Sequence, residues 1–345
     1  MKTLYYFLFI NFFSFGQADS LSVLFIGNSY IASNNLPSLI SSIASSMGDQ
    51  ISFETSLVGG ATLQYHANNQ NTIELIIDGN WDYVVIQEQS QYPSFPIWQV
   101  EQDVFPYASE LSQLIYENNE CGEVVFFMTW GRENGDQDNC TNWPPICTYE
   151  GMDDLLRDRY LIMANENNAQ VSPVGATWRF IRDSKYNLDL YGPDGSHPSF
   201  LGSYVAAVCF YTTLFQKSPL DIPWTTDLNI SAYNDSLIKG AVQSVVFDNL
   251  EQWDIHSNDI DSDGLCNNTD NCPENYNPNQ EDTNNNGSGD ACDGDVIGTI
   301  EQGEITKNVR FVDFLGRQNN NTSFQLKLFD DGSVEKKFII NTPYD

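Results

Sequence analysis

LFIGNSYIASN, residues 24–34, passes from an apolar run through Gly27-Asn28-Ser29 into a segment with helical spacing. A buried strand that stops at a glycine and a serine and then turns into a helix is a strand-to-helix junction of an α/β sheet. In such a sheet, ligands bind at the carboxyl ends of the strands. Ser29 is therefore either the cap of that helix or a nucleophile displayed at a strand end. Further along, ISFETSL (51–57), DYVVIQ (82–87) and EVVFFMTW (123–130) read as strands. SVLFIG (22–27), DYVVIQ and EVVFFMTW are apolar on both faces, as central parallel strands are. Helical spacing falls between them at 36–47, 63–79 and 98–118, and again at 151–168, 199–215 and 235–252. Strand alternating with helix predicts a mainly parallel sheet with right-handed crossovers.

The chain has 345 residues, 47 acidic against 15 basic side chains, and a formal net charge of −32. That balance excludes nucleic acid and anionic membrane surfaces as partners and suits binding of divalent cations. Residues 1–18 read as a secretory signal: Lys2 supplies the basic start, Leu4 to Phe15 is almost wholly apolar, and Gly16 and Ala18 suit cleavage. No other stretch is long and apolar enough for a membrane span. An exported protein, secreted or held at the cell surface, is expected, and export permits disulfides. Of seven cysteines, Cys140 and Cys147 flank a Pro-rich loop and are expected to pair; the odd count leaves one thiol, expected to be Cys209 in an apolar helix.

A serine nucleophile needs a base within hydrogen-bond reach and a third group to orient it. The histidines are His66, His197 and His256. His197 lies in GPDGSHPSFLGSY (192–204), where Asp194 stands three residues before it on a Gly- and Pro-rich loop. This spacing lets the carboxylate fold back onto Nδ1. His66, in LQYHANN, reads as a helix-surface or cleft-lining residue. Glu88 reads as a carboxylate hydrogen-bonded at a strand end or as an acid behind the site. Trp81, Trp98, Trp130 and Trp178 read as core or rim packing, with one or two available to stack on a sugar.

FIGNSY, LVGGATL (57–63) and DGSHP together resemble the SGNH (GDSL-type) hydrolases, in the branch that carries GNS for GDS and QEQS after the third strand. The resemblance implies a three-layer α/β/α, flavodoxin-like fold with about five strands over residues 19–253. It also implies a Ser29–His197–Asp194 triad and an oxyanion hole made by the N–H groups of Ser29 and Gly60. The family's Gly-x-Asn-Asp block is here Gln87-Glu88-Gln89-Ser90, so its oxyanion asparagine is missing; Gln89, with Gln87 second, is the expected substitute. The implied activity is two-step hydrolysis of an O-acyl ester on a small molecule or polysaccharide, with acetyl among the candidate groups and no catalytic cofactor. The alternative is a non-catalytic, calcium-dependent adhesin or carbohydrate-binding protein on the same fold; an acyltransferase is a third reading.

After Trp253 the composition turns to Asp, Asn and Gly. Asp259, Asp261, Asp263, Leu265 (carbonyl), Asn267 and Asp270 follow positions 1, 3, 5, 7, 9 and 12 of an EF-hand-type loop. Asp282, Asn284, Asn286, Ser288 (carbonyl), Asp290 and Asp293 repeat them, with Gly264 and Gly287 at position 6. Residues 254–296 resemble thrombospondin type 3 repeats, which implies structural calcium. The tail, 297–345, reads as short antiparallel strands with a turn at Asp330-Asp331-Gly332. Its DFLGR and DDGSVEKKFII elements are similar to the sorting domain of the type IX secretion system of gliding bacteria, which implies the secretion machinery as a partner.

Overall fold

A computed structural model describes residues 19–119, 121–223, 230–257, 259–261, 263–267 and 269–294, and the backbone of three strands between 310 and 338. The expected signal segment, 1–18, and the Asp330-Asp331-Gly332 turn lie outside these residues. The chain forms two compact units, one ending at Gln280 and the other beginning at Glu281.

The first unit is built on five parallel strands: β1 (Ser20–Gly27), β2 (Gln50–Leu57), β3 (Tyr83–Ile86), β4 (Glu123–Phe127) and β5 (Gln170–Ser172). Their order is β2-β1-β3-β4-β5, the flavodoxin-like arrangement that the sequence led us to expect. Val23–Ile26, Val84–Ile86 and Val124–Phe127 are fully buried, which is why these runs lack polar alternation. The helices are α1 (Ser29–Ala32), α2 (Leu36–Ser46), α3 (Leu63–Ala67), α4 (Gln70–Asp78), α5 (Ile97–Asp103), α6 (Phe105–Asn118), α7 (Tyr149–Glu166), α8 (Val174–Asp183), α9 (Phe200–Phe215) and α10 (Ala232–Val245). α2 packs on β2 and α9, and α8 on α9; α6 and α7 pack against β4, and α6 also against α3 and α4. The buried Phe210 of α9 meets Phe25 and Phe127 edge-on, at 6.1 and 4.9 Å between centroids.

Several elements differ from their sequence reading. The 63–79 helix is broken at Asn68-Asn69, because Asn69 caps α4 by accepting from the Thr72 N–H at 3.0 Å. The 98–118 helix divides at Val104, whose φ of −125° precedes a Pro in the first turn of α6. The last helix ends at Val245 and continues as a 3₁₀ turn, Phe247–Trp253. β5 and α8 were not read from the sequence at all. Cys140 and Cys147 are bonded and Cys209 is the free, buried thiol, as expected. A second bridge, Cys121–Cys266, ties the start of β4 to the first acidic loop. Among the described residues, no helix is long and apolar enough to cross a membrane.

In the second unit, strands β6 (Arg310–Val312), β7 (Phe324–Leu328) and β8 (Val334–Phe338) form an antiparallel sheet in the order β6-β7-β8.

Candidate active site

β1 and β3 are neighbours whose connections leave in opposite directions across the sheet, so a crevice opens at their carboxyl ends. Ser29 stands there as the first residue of α1. The cap is Asn28, whose Oδ1 accepts from the Tyr30 N–H at 3.1 Å. With capping taken by Asn28, the Ser29 hydroxyl is left for other work. Its own N–H, at the first helical position, has no intrahelical acceptor. Asn28 does more than cap: Nδ2 donates to the Ala61 carbonyl at 3.0 Å, and its backbone N–H donates to Gln87 Oε1 at 3.1 Å. Gly27 is required by that packing, since a Cβ there would lie 2.7 Å from Gln87 Oε1.

Asp194 and His197 arrive from the far end of the domain on a loop closed by two backbone bonds, Gly192 N–H to His197 O at 2.7 Å and Ser199 N–H to Leu190 O at 2.9 Å. Gly195 adopts φ +64°, the left-handed region that glycine tolerates. Asp194 Oδ1 accepts from the Ser196 and His197 N–H groups, each at 3.0 Å, and Oδ2 accepts from His197 Nδ1 at 2.6 Å. With that proton on Nδ1, Nε2 is the acceptor for Ser29 Oγ–H, at 2.8 Å. The structure thus joins Ser29, His197 and Asp194 in one chain of hydrogen bonds. Partial burial pushes the Asp194 carboxyl upward, but the His197 ring N–H and the two backbone N–H groups outweigh it and hold it down to about 2. Asp194 therefore stays ionised wherever His197 acts as a base.

An aromatic wall backs this loop. Tyr30 meets His197 edge-on at 5.4 Å and stacks on Trp130 at 4.8 Å, and Trp130 stacks on Trp178 at 3.8 Å. Trp130 Nε1–H donates to the Ser196 carbonyl at 3.1 Å, and the Tyr30 hydroxyl pairs with Ser196 Oγ at 2.7 Å. Asn34 Nδ2 donates to Ser203 Oγ at 2.9 Å and reaches the Ser199 carbonyl at 3.2 Å. Neither Tyr30 nor Asn34 was singled out from the sequence. Trp81, Trp130 and Trp178 are buried, which removes them as sugar platforms; Trp98 is 65% exposed.

Gly60, at φ +70°, lies on the loop between β2 and α3, beside Ala61, whose carbonyl is bound by Asn28. Gln87 is buried, and its carboxamide is engaged at both ends, by the Asn28 N–H and by the Glu88 carbonyl. Gln89 is half-buried; its Nε2 donates to Gln91 Oε1 at 3.2 Å, and its Oε1 accepts from the Gln91 N–H at 2.7 Å. Glu88 is wholly buried, accepting from the N–H groups of Leu63 and Gln89. Burial pushes its carboxyl up to about 8, against the pull of those donors. His66 is not a surface residue: it is fully buried, with Nε2 2.9 Å from the Gly27 carbonyl and Nδ1 3.0 Å from Thr72 Oγ1.

The two acidic loops repeat one backbone pattern. Asp259 accepts from the N–H groups of Asp263 and Gly264, as Asp282 does from those of Asn286 and Gly287. Asp263 Oδ1 accepts from Leu265 N–H, and Asn286 Oδ1 from Ser288 N–H. Gly264 and Gly287 have φ of +93° and +91°. Asp259, Asp261 and Asp263 each present a carboxylate oxygen within 4.8 Å of the others. Asp270 Oδ1 instead accepts from Cys272 N–H and Gln280 Nε2, and Asn267 Oδ1 from Ile260 N–H. In the second loop Asn284 and Asn286 both donate to Asp293 Oδ2 at 2.9 Å, while Asp290 is held by Thr283.

No protein-family model matches the sequence, and no curated protein matches it either. Among solved structures, a DUF4886 family protein from Bacteroides uniformis superposes with a TM-score of 0.56 at 18% identity, over 66% of this chain and 94% of that one. A protein described as an SGNH hydrolase, from Slackia heliotrinireducens, gives 0.48 at 23% identity, over 57% of this chain and 100% of that one. An acetyl xylan esterase from Geobacillus stearothermophilus gives 0.40 at 16% identity, over 60% and 98%. At these identities the likeness is one of fold.

Proposed function

We propose that the first unit is a serine esterase that hydrolyses an O-acyl ester through an acyl-enzyme. The observation that carries this reading is the unbroken chain Ser29 Oγ, His197 Nε2, His197 Nδ1, Asp194 Oδ2, with separations of 2.8 and 2.6 Å across the histidine, at the carboxyl edge of a parallel sheet. Ser29 Oγ attacks the ester carbonyl carbon as His197 Nε2 takes its proton. Asp194 keeps the imidazole in the required tautomer and stabilises the imidazolium. The oxyanion is received by the Ser29 and Gly60 N–H groups, with Gln89 as the side-chain donor: it is half-buried where Gln87 is fully buried, and its Nε2 carries a second N–H beyond the one given to Gln91 Oε1. His197 then protonates the departing alcohol, and water attacks the acyl-enzyme with His197 again as base. An acetyl group on a polysaccharide suits an exported enzyme, and the named activity of the Geobacillus protein is of that class.

Residues 259–293 are proposed to bind calcium structurally. Three carboxylates facing one another, a left-handed glycine at position 6 and backbone N–H groups folded onto position 1 fit a hard cation with oxygen ligands. The three-stranded tail is proposed as a sorting module read by the secretion machinery.

The test is hydrolysis of 4-nitrophenyl acetate by the purified protein beside Ser29→Ala and His197→Ala, with and without a chelator. The reading requires that both variants lose activity by roughly a thousandfold or more and that wild type survives mild chelation. Equal rates in wild type and in variants shown to be folded, on this ester and on acetylated polysaccharide, would favour the adhesin.

A further inference from the structure

A group that the mechanism leaves unused is His66, a buried imidazole with one ring nitrogen at the end of β1 and the other on Thr72 at the start of α4. Its Nε2 is 2.9 Å from the Gly27 carbonyl. The same carbonyl accepts from the Val58 N–H at 3.1 Å. Gly27 belongs to the segment that delivers the Ser29 N–H, and Val58 to the segment that delivers the Gly60 N–H. One carbonyl oxygen is therefore a point at which the two halves of the oxyanion hole are joined, and His66 is its side-chain donor.

We propose that His66 is a positioning residue for the oxyanion hole, acting through the Gly27 carbonyl; the proposal rests on the esterase reading of this site. The carbonyl can only accept, so Nε2 carries the proton and Nδ1 accepts from the Thr72 hydroxyl at 3.0 Å. Thr72 is in turn paired with Ser56 Oγ of β2 at 2.7 Å, and Asn69 Oδ1 accepts from the Thr72 N–H. The imidazole is thus fixed in tautomer and orientation from β2 and from the start of α4. Burial lowers its proton affinity, against a smaller opposing pull from the Gly27 carbonyl, which keeps the ring neutral. Asn28 completes the arrangement from the other side by binding the Ala61 carbonyl at 3.0 Å. The 58–61 loop is held at both of its ends to the turn that carries the nucleophile.

A donor placed this way acts on the transition state. Substrate binding needs the cleft, whereas the oxyanion forms only during attack and tolerates little error in the position of its N–H donors. A displacement on the order of 1 Å costs about a hundredfold.

The experiment is steady-state hydrolysis of 4-nitrophenyl acetate by wild type, His66→Phe, His66→Gln and Thr72→Val, with Ser29→Ala as the blank, and amide hydrogen exchange at Val58 and Ala61. His66→Phe keeps the ring and removes the donor; kcat should fall about 10- to 100-fold with KM within about twofold. His66→Gln restores an N–H near the Nε2 position and should return kcat to within about threefold of wild type. Exchange at Val58 and Ala61 should quicken in His66→Phe and not in His66→Gln. Where His66→Phe does not fold, Thr72→Val reads the same clamp by removing the donor that holds Nδ1 and the ring's orientation, with a kcat loss of roughly three- to tenfold. Unchanged kcat in folded His66→Phe overturns the proposal, as do equal losses in His66→Phe and His66→Gln with KM altered alike. Wild type no faster than Ser29→Ala sinks the esterase reading and the catalytic half of the proposal with it; the exchange rates then still decide the clamp, and unchanged rates overturn it.

Discussion

Asn28→Asp introduces the residue that GDS-type sequences carry at this point of the motif, and the sequence resemblance alone predicts a harmless change. The structure predicts damage. Asn28 is 3% exposed, and its Oδ1 caps Tyr30 while its Nδ2–H satisfies the Ala61 carbonyl at 3.0 Å. A carboxylate keeps the cap but loses the donor and sets a charged oxygen against a carbonyl oxygen. Losing a buried hydrogen bond and leaving its acceptor unpaired costs about 1–3 kcal/mol. A cost of about 2–3 kcal/mol lowers Tm by roughly 4–12 °C in a domain of this size. Protonating the introduced carboxyl regenerates a donor for Ala61, so the same energy raises its folded pKa by about 1.5–2 units above the ordinary 3.9. The sign follows. With the folded pKa raised, the stabilising contact is present below about pH 4 and is lost as pH rises through about 5.5–6. The Tm gap to wild type should be small at pH 4 and complete by pH 8. At pH 8, kcat should fall about 10- to 100-fold, because the freed carbonyl belongs to the loop that carries Gly60. Paired melts at pH 4 and pH 8, with ester hydrolysis at pH 8, decide it. A gap of the same size at both pH values, or no gap, refutes the donor role assigned to Asn28.

Two further outcomes can be measured directly. The Glu88 carboxyl, raised from 4.5 to about 8 by burial, favours the folded state while protonated. Stability against denaturant should therefore be greatest below about pH 4.5 and decline as pH rises through 8, and Glu88→Gln should flatten that slope; a wild-type midpoint that does not move between pH 5 and 9 contradicts it. If residues 259–293 hold calcium, calcium at about 100 times its Kd stabilises whatever unfolds with the loops by about 2.7 kcal/mol. Asp259→Ala should abolish the effect of the first loop while sparing ester hydrolysis, and calorimetry with calcium alone reads both.

The strands that could be read from the sequence were those whose position forces one composition. β1, β3 and β4 are covered on both faces, so their residues are apolar without interruption. β5 escapes because three residues, Gln-Val-Ser, have no period, and because polar Gln170 and Ser172 are buried there beside the core. α8 escapes because it starts directly after Pro173, only two residues beyond the strand, and carries arginines at 179 and 182. The break at Asn68-Asn69 was in principle visible, since an asparagine followed by a fresh run of helix formers is a cap signal. It is masked by the apolar spacing that continues across it.

The candidate site divides in the same way. Asp194 and His197 find each other within four residues, and the Asx turn that joins them is encoded locally; Ser29 is marked by the glycine and cap that precede it. What holds these groups is encoded at a distance. His66 sits with Leu63 and Ala67 at spacing i, i+3 and i+4, on the buried face of α3. That face was the one available signal that the ring points inward, but nothing in LQYHANN names its partner, 39 residues earlier at Gly27. The Asn28–Gln87 bond spans 59 residues and the Tyr30–Ser196 bond 166. The first exists because the order β2-β1-β3 sets the ends of β1 and β3 side by side, the second because the loop before α9 returns to the start of α1. GNS and QEQS then gain a joint meaning in the structure: the amide of Asn28 needs Ala61 as acceptor and its backbone needs Gln87, so the asparagine and the glutamine form one device. Removing the Gln87 carboxamide should cost more than its own burial suggests, because it leaves the Asn28 N–H buried and unpaired, whereas a change of the Asn28 side chain strands the Ala61 carbonyl and keeps the Asn28 N–H bond to Gln87.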